Sequence, residues 1–175
     1  SMGTVAIKAE ATRIEELRGQ GMIFGTARGD GNCLISSILQ GLVQAEVLPK
    51  GLLENQLHFL AEVRSCRAAL VALPAGHPLR PAQRELHTNR IRADATDEEH
   101  ANAYLQFDVH AVWVVEHLLE KYNRQIPARG LALKCYSRFD DVLGGVETLA
   151  LRRDGCVVGS DAVCEIGVYN WTGEQ

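Results

Sequence analysis

The chain has 175 residues, enough for one domain with a substantial core. Hydrophobic residues make up 46% and charged residues 23%, a balance that excludes a disordered chain. The formal net charge of -4 excludes the basic excess of a nucleic-acid-binding surface. No apolar run reaches the roughly 18 residues of a membrane-spanning helix, and no basic-then-apolar leader opens the chain. Neither nucleic acid nor membrane is therefore an expected partner.

Ser1-Met2 reads as an expression scar. "TRIEELRGQG" (12 to 21) has the pattern of a short helix stopped by Gly19 and Gly21. Residues 1 to 22 read as an N-terminal extension and 23 to 175 as the domain. After a Gly-Asp-Gly turn, Leu34, Ile35, Ile38, Leu39, Leu42 and Val43 form the stripe of a buried helix. A second helix is expected from near Pro49 to just before Pro74. Residues 74 to about 100 hold prolines, many charges and little periodicity, and read as a variable insertion. Helical period returns through Leu105, Val109, Val112, Trp113, Val115 and Leu119. "LALKCYSRF", "ETLALRRDG" and "AVCEIGVYNW" have strand character. Helices first and strands late predict an α+β fold with a small sheet packed between helices.

The five cysteines, Cys33, Cys66, Cys135, Cys156 and Cys164, are odd in number and widely spaced. They contain no C-x-x-C pair, so neither a zinc site nor a disulfide framework is expected, and no metal or cofactor is implied. Free thiols suit a reducing, cytoplasmic compartment. Cys135 and Cys164 lie in strand-like runs and read as packing residues.

Cys33 stands apart, in "RGDGNCLISSILQGL" (28 to 42). A thiol is a nucleophile only as thiolate, and a helix N-terminus stabilises that charge. The backbone N–H groups there could also stabilise the oxyanion of a tetrahedral intermediate. Gly29 and Gly31 allow a sharp turn and close approach of a substrate strand, while Asp30 and Asn32 are turn formers. A dinucleotide fingerprint would need a third glycine where Leu34 stands, and a P-loop would need Gly-Lys-Ser/Thr. Two readings stay open on spacing alone: a cysteine hydrolase, or a helix start with Cys33 as packing.

"GDGNCLISSIL" resembles the Asp-Gly-Asn-Cys signature of the ovarian-tumour (OTU) family of cysteine proteases, which are mostly deubiquitinases. "FDVHAVWVVEHLLEKYNRQI", "LALKCYSRF" and "CEIGVYNWTGEQ" look like that family's later helix, the strand after it, and the strand leading to the catalytic histidine. The resemblance implies a papain-like OTU fold with the nucleophile at a helix N-terminus. Cys33 would be the nucleophile, and Asp30 would shape an oxyanion loop of Asp30, Gly31, Asn32 and Cys33. The reaction implied is hydrolysis of the isopeptide bond after the C-terminal glycine of ubiquitin, or of a related modifier, through a thioester acyl-enzyme. Divergence outside the motif suits a pathogen effector acting in a host cytosol.

A thiol protease needs a base, usually histidine. The six histidines are His58, His77, His87, His100, His110 and His117, all before the last strand. The base is expected just after Gln175; a domain without one would be a ubiquitin-binding module. A papain-like peptidase with another substrate is the further alternative. His110 and His117 share a helix face and read as surface or half-buried side chains. His77 and His87 reach a site only if the insertion folds over it. Trp171 reads either as a wall of the substrate channel or as core. Asp94, Asp97, Glu98 and Glu99 read as an acidic patch for a basic partner such as ubiquitin, or as the first turn of a helix capped by Thr96. Asn170-Trp171-Thr172 is a chance sequon in a cytosolic chain, and Asp140-Asp141 lies in a solvated turn.

Overall fold

A computed structural model describes residues 31–81, 95–137, 146–152 and 164–170, together with Glu15 and Gly19. The order is α1 (Cys33–Gln44), α2 (Gly51–Glu54), α3 (Gln56–Val71), α4 (Asp97–Asn102), α5 (Phe107–Lys121), β1 (Leu131–Ser137), β2 (Val146–Leu151) and β3 (Cys164–Asn170). Helices come first and strands late, so the fold is mixed α and β with a small sheet, as the sequence pattern implies.

The core forms around α1. Its whole stripe, Leu34, Ile35, Ile38, Leu39, Leu42 and Val43, is buried, and it packs on α5, β3, α3 and α2. A Schellman turn ends it: Val47 N–H donates to Leu42 O at 2.9 Å and Glu46 N–H to Val43 O at 3.0 Å. Glu46 takes the left-handed position with φ 62°, where glycine is usual. The same motif ends α5 at Asn123, whose φ is 51°, with Arg124 N–H donating to Leu119 O at 2.8 Å.

Two expectations are corrected. The helix expected from Pro49 to Pro74 is two helices, divided at Asn55. Asn55 is extended (φ -120°, ψ 108°), and its side chain accepts from the N–H groups of Leu57 and His58. A short polar side chain that captures backbone donors starts a helix more readily than it continues one. The stripe expected through Leu105, Val109, Val112, Trp113, Val115 and Leu119 is right only in part: Val115 and Leu119 are buried, Leu105 is buried in the connector before α5, and Val109, Val112 and Trp113 are only half-buried. The buried face of α5 is Phe107, His110, Ala111, Val114, Val115, Leu118 and Leu119. Glu15 and Gly19 have helical backbone, and the expected stop at Gly21 lies outside the described residues.

Within the insertion, residues 74–81 make successive turns, with His77 N–H donating to Pro74 O and Arg80 N–H to His77 O, both at 3.0 Å. Residues 82–94, His87 and Asp94 among them, lie outside the described residues. α4 begins with a complete capping box: Glu99 N–H donates to Thr96 Oγ1 at 3.2 Å, and Thr96 N–H to Glu99 Oε2 at 2.8 Å. The acidic first turn is therefore local helix chemistry, with Asp97 also paired to Arg80.

The sheet runs β2-β1-β3. β1 pairs antiparallel with β2 from Leu131↔Leu151, and parallel with β3 from Leu131↔Cys164. Leu131, Leu133 and Cys135 alternate into the core, as Cys135 was expected to do. Lys121 and Tyr122 at the end of α5 donate to the Glu62 carboxylate at 2.9 and 2.5 Å and tie α5 to α3. Among the described residues, no helix is long and apolar enough to cross a membrane.

Candidate functional site

Cys33 is the first residue of α1 and is half-buried. Gly31, two residues earlier, has φ +85°, a left-handed conformation that side chains rarely adopt. Asn32 then turns the chain (φ -105°, ψ 10°) and occupies the N-cap position, with its carbonyl accepting from Ser36 N–H at 2.9 Å. Its side chain makes no capping bond to the helix. It is used elsewhere.

Its partner is Arg67, on α3. This side chain is only 6% exposed. Nε donates to Asn32 Oδ1 at 2.6 Å, Nη1 to Ala103 O at 2.7 Å, and Nη2 to Gly31 O. A buried guanidinium is tolerated only when its donors are matched, and here three acceptors from two chain segments meet it. The C-terminal end of α4 also abuts the loop: a Cβ added to Gly31 would lie 3.6 Å from Asn102 O and 3.8 Å from Ala103 O. An open groove lies beside the clamp, lined by Asn32, Arg64, Arg67, Ala68, Val71, Ala72, Asp97 and Ala101.

Cys66, next to Arg67, is chemically quiet. Burial pushes its thiol up to about 12, and Glu62 acts in the same direction, against the opposing pull of Arg67 and Lys121. It is a packed thiol at neutral pH.

The histidines divide clearly. His110 is not at the surface but 4% exposed. Its Nδ1 accepts from Gln106 N–H at 2.9 Å, and its Nε2 faces Leu79 O at 3.1 Å. A carbonyl only accepts, so Nε2 carries the proton and the ring is neutral. Burial lowers its pKa, the charge of Arg67 adds to that, and the Leu79 carbonyl and Asp108 oppose it. Both ring nitrogens are engaged, so His110 is a structural clip. His117 is half-buried and stacks on Trp113, with ring centroids 4.7 Å apart and planes 10° apart; burial and then Lys121 lower its pKa. His77 accepts at Nδ1 from Leu79 N–H at 3.1 Å, closing its own turn. His100 is buried, with no partner at Nδ1.

No protein-family model, no curated protein and no solved structure matches this chain.

Of the residues singled out in the sequence, Gly31, Asn32 and Cys33 form one turn at the start of a buried helix. Asp30 and Trp171 lie outside the described residues. Among the described residues, no group of three His, Cys, Asp or Glu side chains is placed to hold a metal ion. β3, which leads to Trp171, packs on α1, so the last strand and the cysteine helix share one interface. Chemically, a thiol at a helix N-terminus beside a fixed turn can support nucleophilic attack and charge stabilisation. Sequence reasoning missed Arg67. The signal was there: Val63, Cys66 and Leu70 define the inner face of α3, and Arg67 falls on it.

Proposed function

We propose that the chain is a thiol hydrolase of the OTU type, a deubiquitinase with a papain-like fold and Cys33 as nucleophile. The observation that carries this reading is the Gly31-Asn32-Cys33 turn, which delivers the cysteine to the first turn of a 12-residue buried helix. The Cys33 thiolate would attack the carbonyl of the isopeptide bond after the last glycine of ubiquitin. The C–N bond breaks, the amine leaves with a proton, and the thioester on Sγ is hydrolysed by water. The loop from Asp30 to Cys33 would supply N–H donors to the oxyanion. The reading places the general base after β3, since His110 is already held at both nitrogens.

A second reading is a ubiquitin-binding module that cleaves nothing. It is favoured by one fact, that the buried His110 is held at both ring nitrogens and so is not available as a base.

The test mixes ubiquitin bearing a C-terminal electrophile with the 175-residue chain, with Cys33→Ala, and with the chain extended by its own next residues. Intact mass reads the adduct. An adduct lost in Cys33→Ala supports the hydrolase. Reaction only in the extended chain places the base in the added residues. Saturable binding of ubiquitin without any adduct supports the module. Neither binding nor adduct overturns both readings.

A further inference from the structure

We infer that Arg67 is a positioning residue for acyl transfer at Cys33, holding the peptide between Gly31 and Asn32 in the orientation that turns its N–H toward the reacting carbonyl. The inference rests on the thiol-hydrolase reading but not on ubiquitin as the substrate.

The argument begins with the peptide plane. A trans peptide points its C=O and N–H in opposite directions. The Gly31 carbonyl accepts from Arg67 Nη2, so the Asn32 N–H is directed away from α3. Rotating that peptide would break the bond to Nη2 and bury a carbonyl without its donor, which is costly. The Asn32 side chain, a natural cap for α1, is instead held by Arg67 Nε at 2.6 Å. The clamp therefore fixes both the orientation of the peptide and the side chain that would otherwise compete for the first N–H groups of α1. Gly31 makes the turn possible, because its φ of +85° is strained for any other residue. The third bond, from Nη1 to Ala103 O at 2.7 Å, anchors the guanidinium to the segment after α4, so the fork cannot swing with the loop. Arg67 is buried, with its donors directed to Asn32, Gly31 and Ala103. It acts through the backbone.

Two reactions of the same thiol separate positioning from mere structure. In acylation by p-nitrophenyl acetate, the Cys33 thiolate attacks the ester carbonyl, p-nitrophenolate leaves, and an acetyl thioester remains on Sγ. That path passes through an oxyanion. In alkylation by iodoacetamide, an S–C bond forms and iodide leaves, with no oxyanion. Arg67→Lys keeps the positive charge but loses the fork.

The p-nitrophenolate burst that disappears in Cys33→Ala reports acylation at Cys33. Arg67→Lys should slow that burst about a hundredfold, while Cys33 alkylation stays within about threefold from pH 6 to 9. Equal slowing of both reactions, or an unaltered burst, overturns the inference. A wild-type chain with no Cys33-dependent burst overturns it as well. A burst without reaction toward the ubiquitin electrophile discards ubiquitin as substrate and leaves Arg67 to be judged by the burst. If Arg67→Lys does not fold, Asn32→Ala takes one acceptor from the clamp and leaves two; it should slow the burst about tenfold with the same alkylation profile, and parallel slowing of both reactions would again overturn the inference.

Discussion

Arg67 and His110 hold two different turns in similar ways. Each is a polar side chain on the buried face of a helix, and each fixes the backbone of a connector; Arg67 holds the Asn32 side chain as well. Arg67 fastens residues 31 and 103; His110 fastens Leu79 and Gln106. The difference is protonation. A guanidinium keeps its charge at any working pH and can only donate. The imidazole works only while neutral, as donor at Nε2 and acceptor at Nδ1. The turn that carries the cysteine is thus held by a group that cannot titrate, and the turn at 77–81 by one that can. The two clips are also coupled, since the charge of Arg67 helps keep His110 neutral.

The largest effect should come from Arg67→Met. It leaves three acceptors without their donor and should cost about 3 kcal/mol, read as a fall in the urea midpoint at pH 8. A loss of under about 0.5 kcal/mol would mean the clamp is not needed for the fold. The same substitution removes a charge that lowers the His110 pKa, so stability should depend less on pH than in the wild type.

His110→Phe should cost about 1–2 kcal/mol at pH 8, for two lost hydrogen bonds partly offset by apolar burial. Its pH dependence is the sharper test. The folded pKa of His110 lies below the unfolded value of about 6.5. In that window the unfolded chain binds more protons, so the His110 contribution is fully present above about pH 6.5 and is lost as pH falls through the folded value. Melting temperatures from pH 8 to 5 should fall less steeply in His110→Phe than in the wild type. Equal slopes would remove His110 as the titrating clip. His117, lowered in the same direction, should leave a smaller residual slope in the variant.

Thr96→Ala breaks the capping box of α4, the helix that leads to Ala103. It should cost about 1 kcal/mol, with no change in pH slope. Glu46→Gly, remote from both clips, relieves a left-handed glutamate at the end of α1 and should stabilise by about 0.5–1 kcal/mol. It gives up only an exposed ion pair with Lys50. A gain in midpoint without any change in Cys33 alkylation would separate general stability from the site.

Where one kind of physics decides, the sequence was enough to read. The apolar stripe of α1, the Thr96 cap and the three strands lie where periodicity and local donors put them. Reading failed where a polar residue serves the interior. Arg67 occupies a core position because the carbonyls it needs come from residues far away in the chain, which no local pattern shows. His110 does the same on α5, and treating it as outward-facing put Val109 and Val112 in the expected stripe in its place, while Val115 and Leu119 were read correctly. Asn55 broke a helix whose apolar pattern ran on across it. At the candidate site, the Gly31-Asn32-Cys33 turn was visible as a motif, but the means of holding it was not.

β3 lies parallel to β1 and against α1, although α1 ends at Gln44 and β3 begins only at Cys164. At ordinary synthesis rates the ribosome releases the cysteine helix on the order of ten seconds before the strand that covers it. Throughout that interval its apolar face lacks the strand that covers it and its thiol has no finished surroundings. Nascent chains are therefore the stage at which this protein depends most on chaperones and is most exposed to oxidants, and a pause late in translation would lengthen both risks.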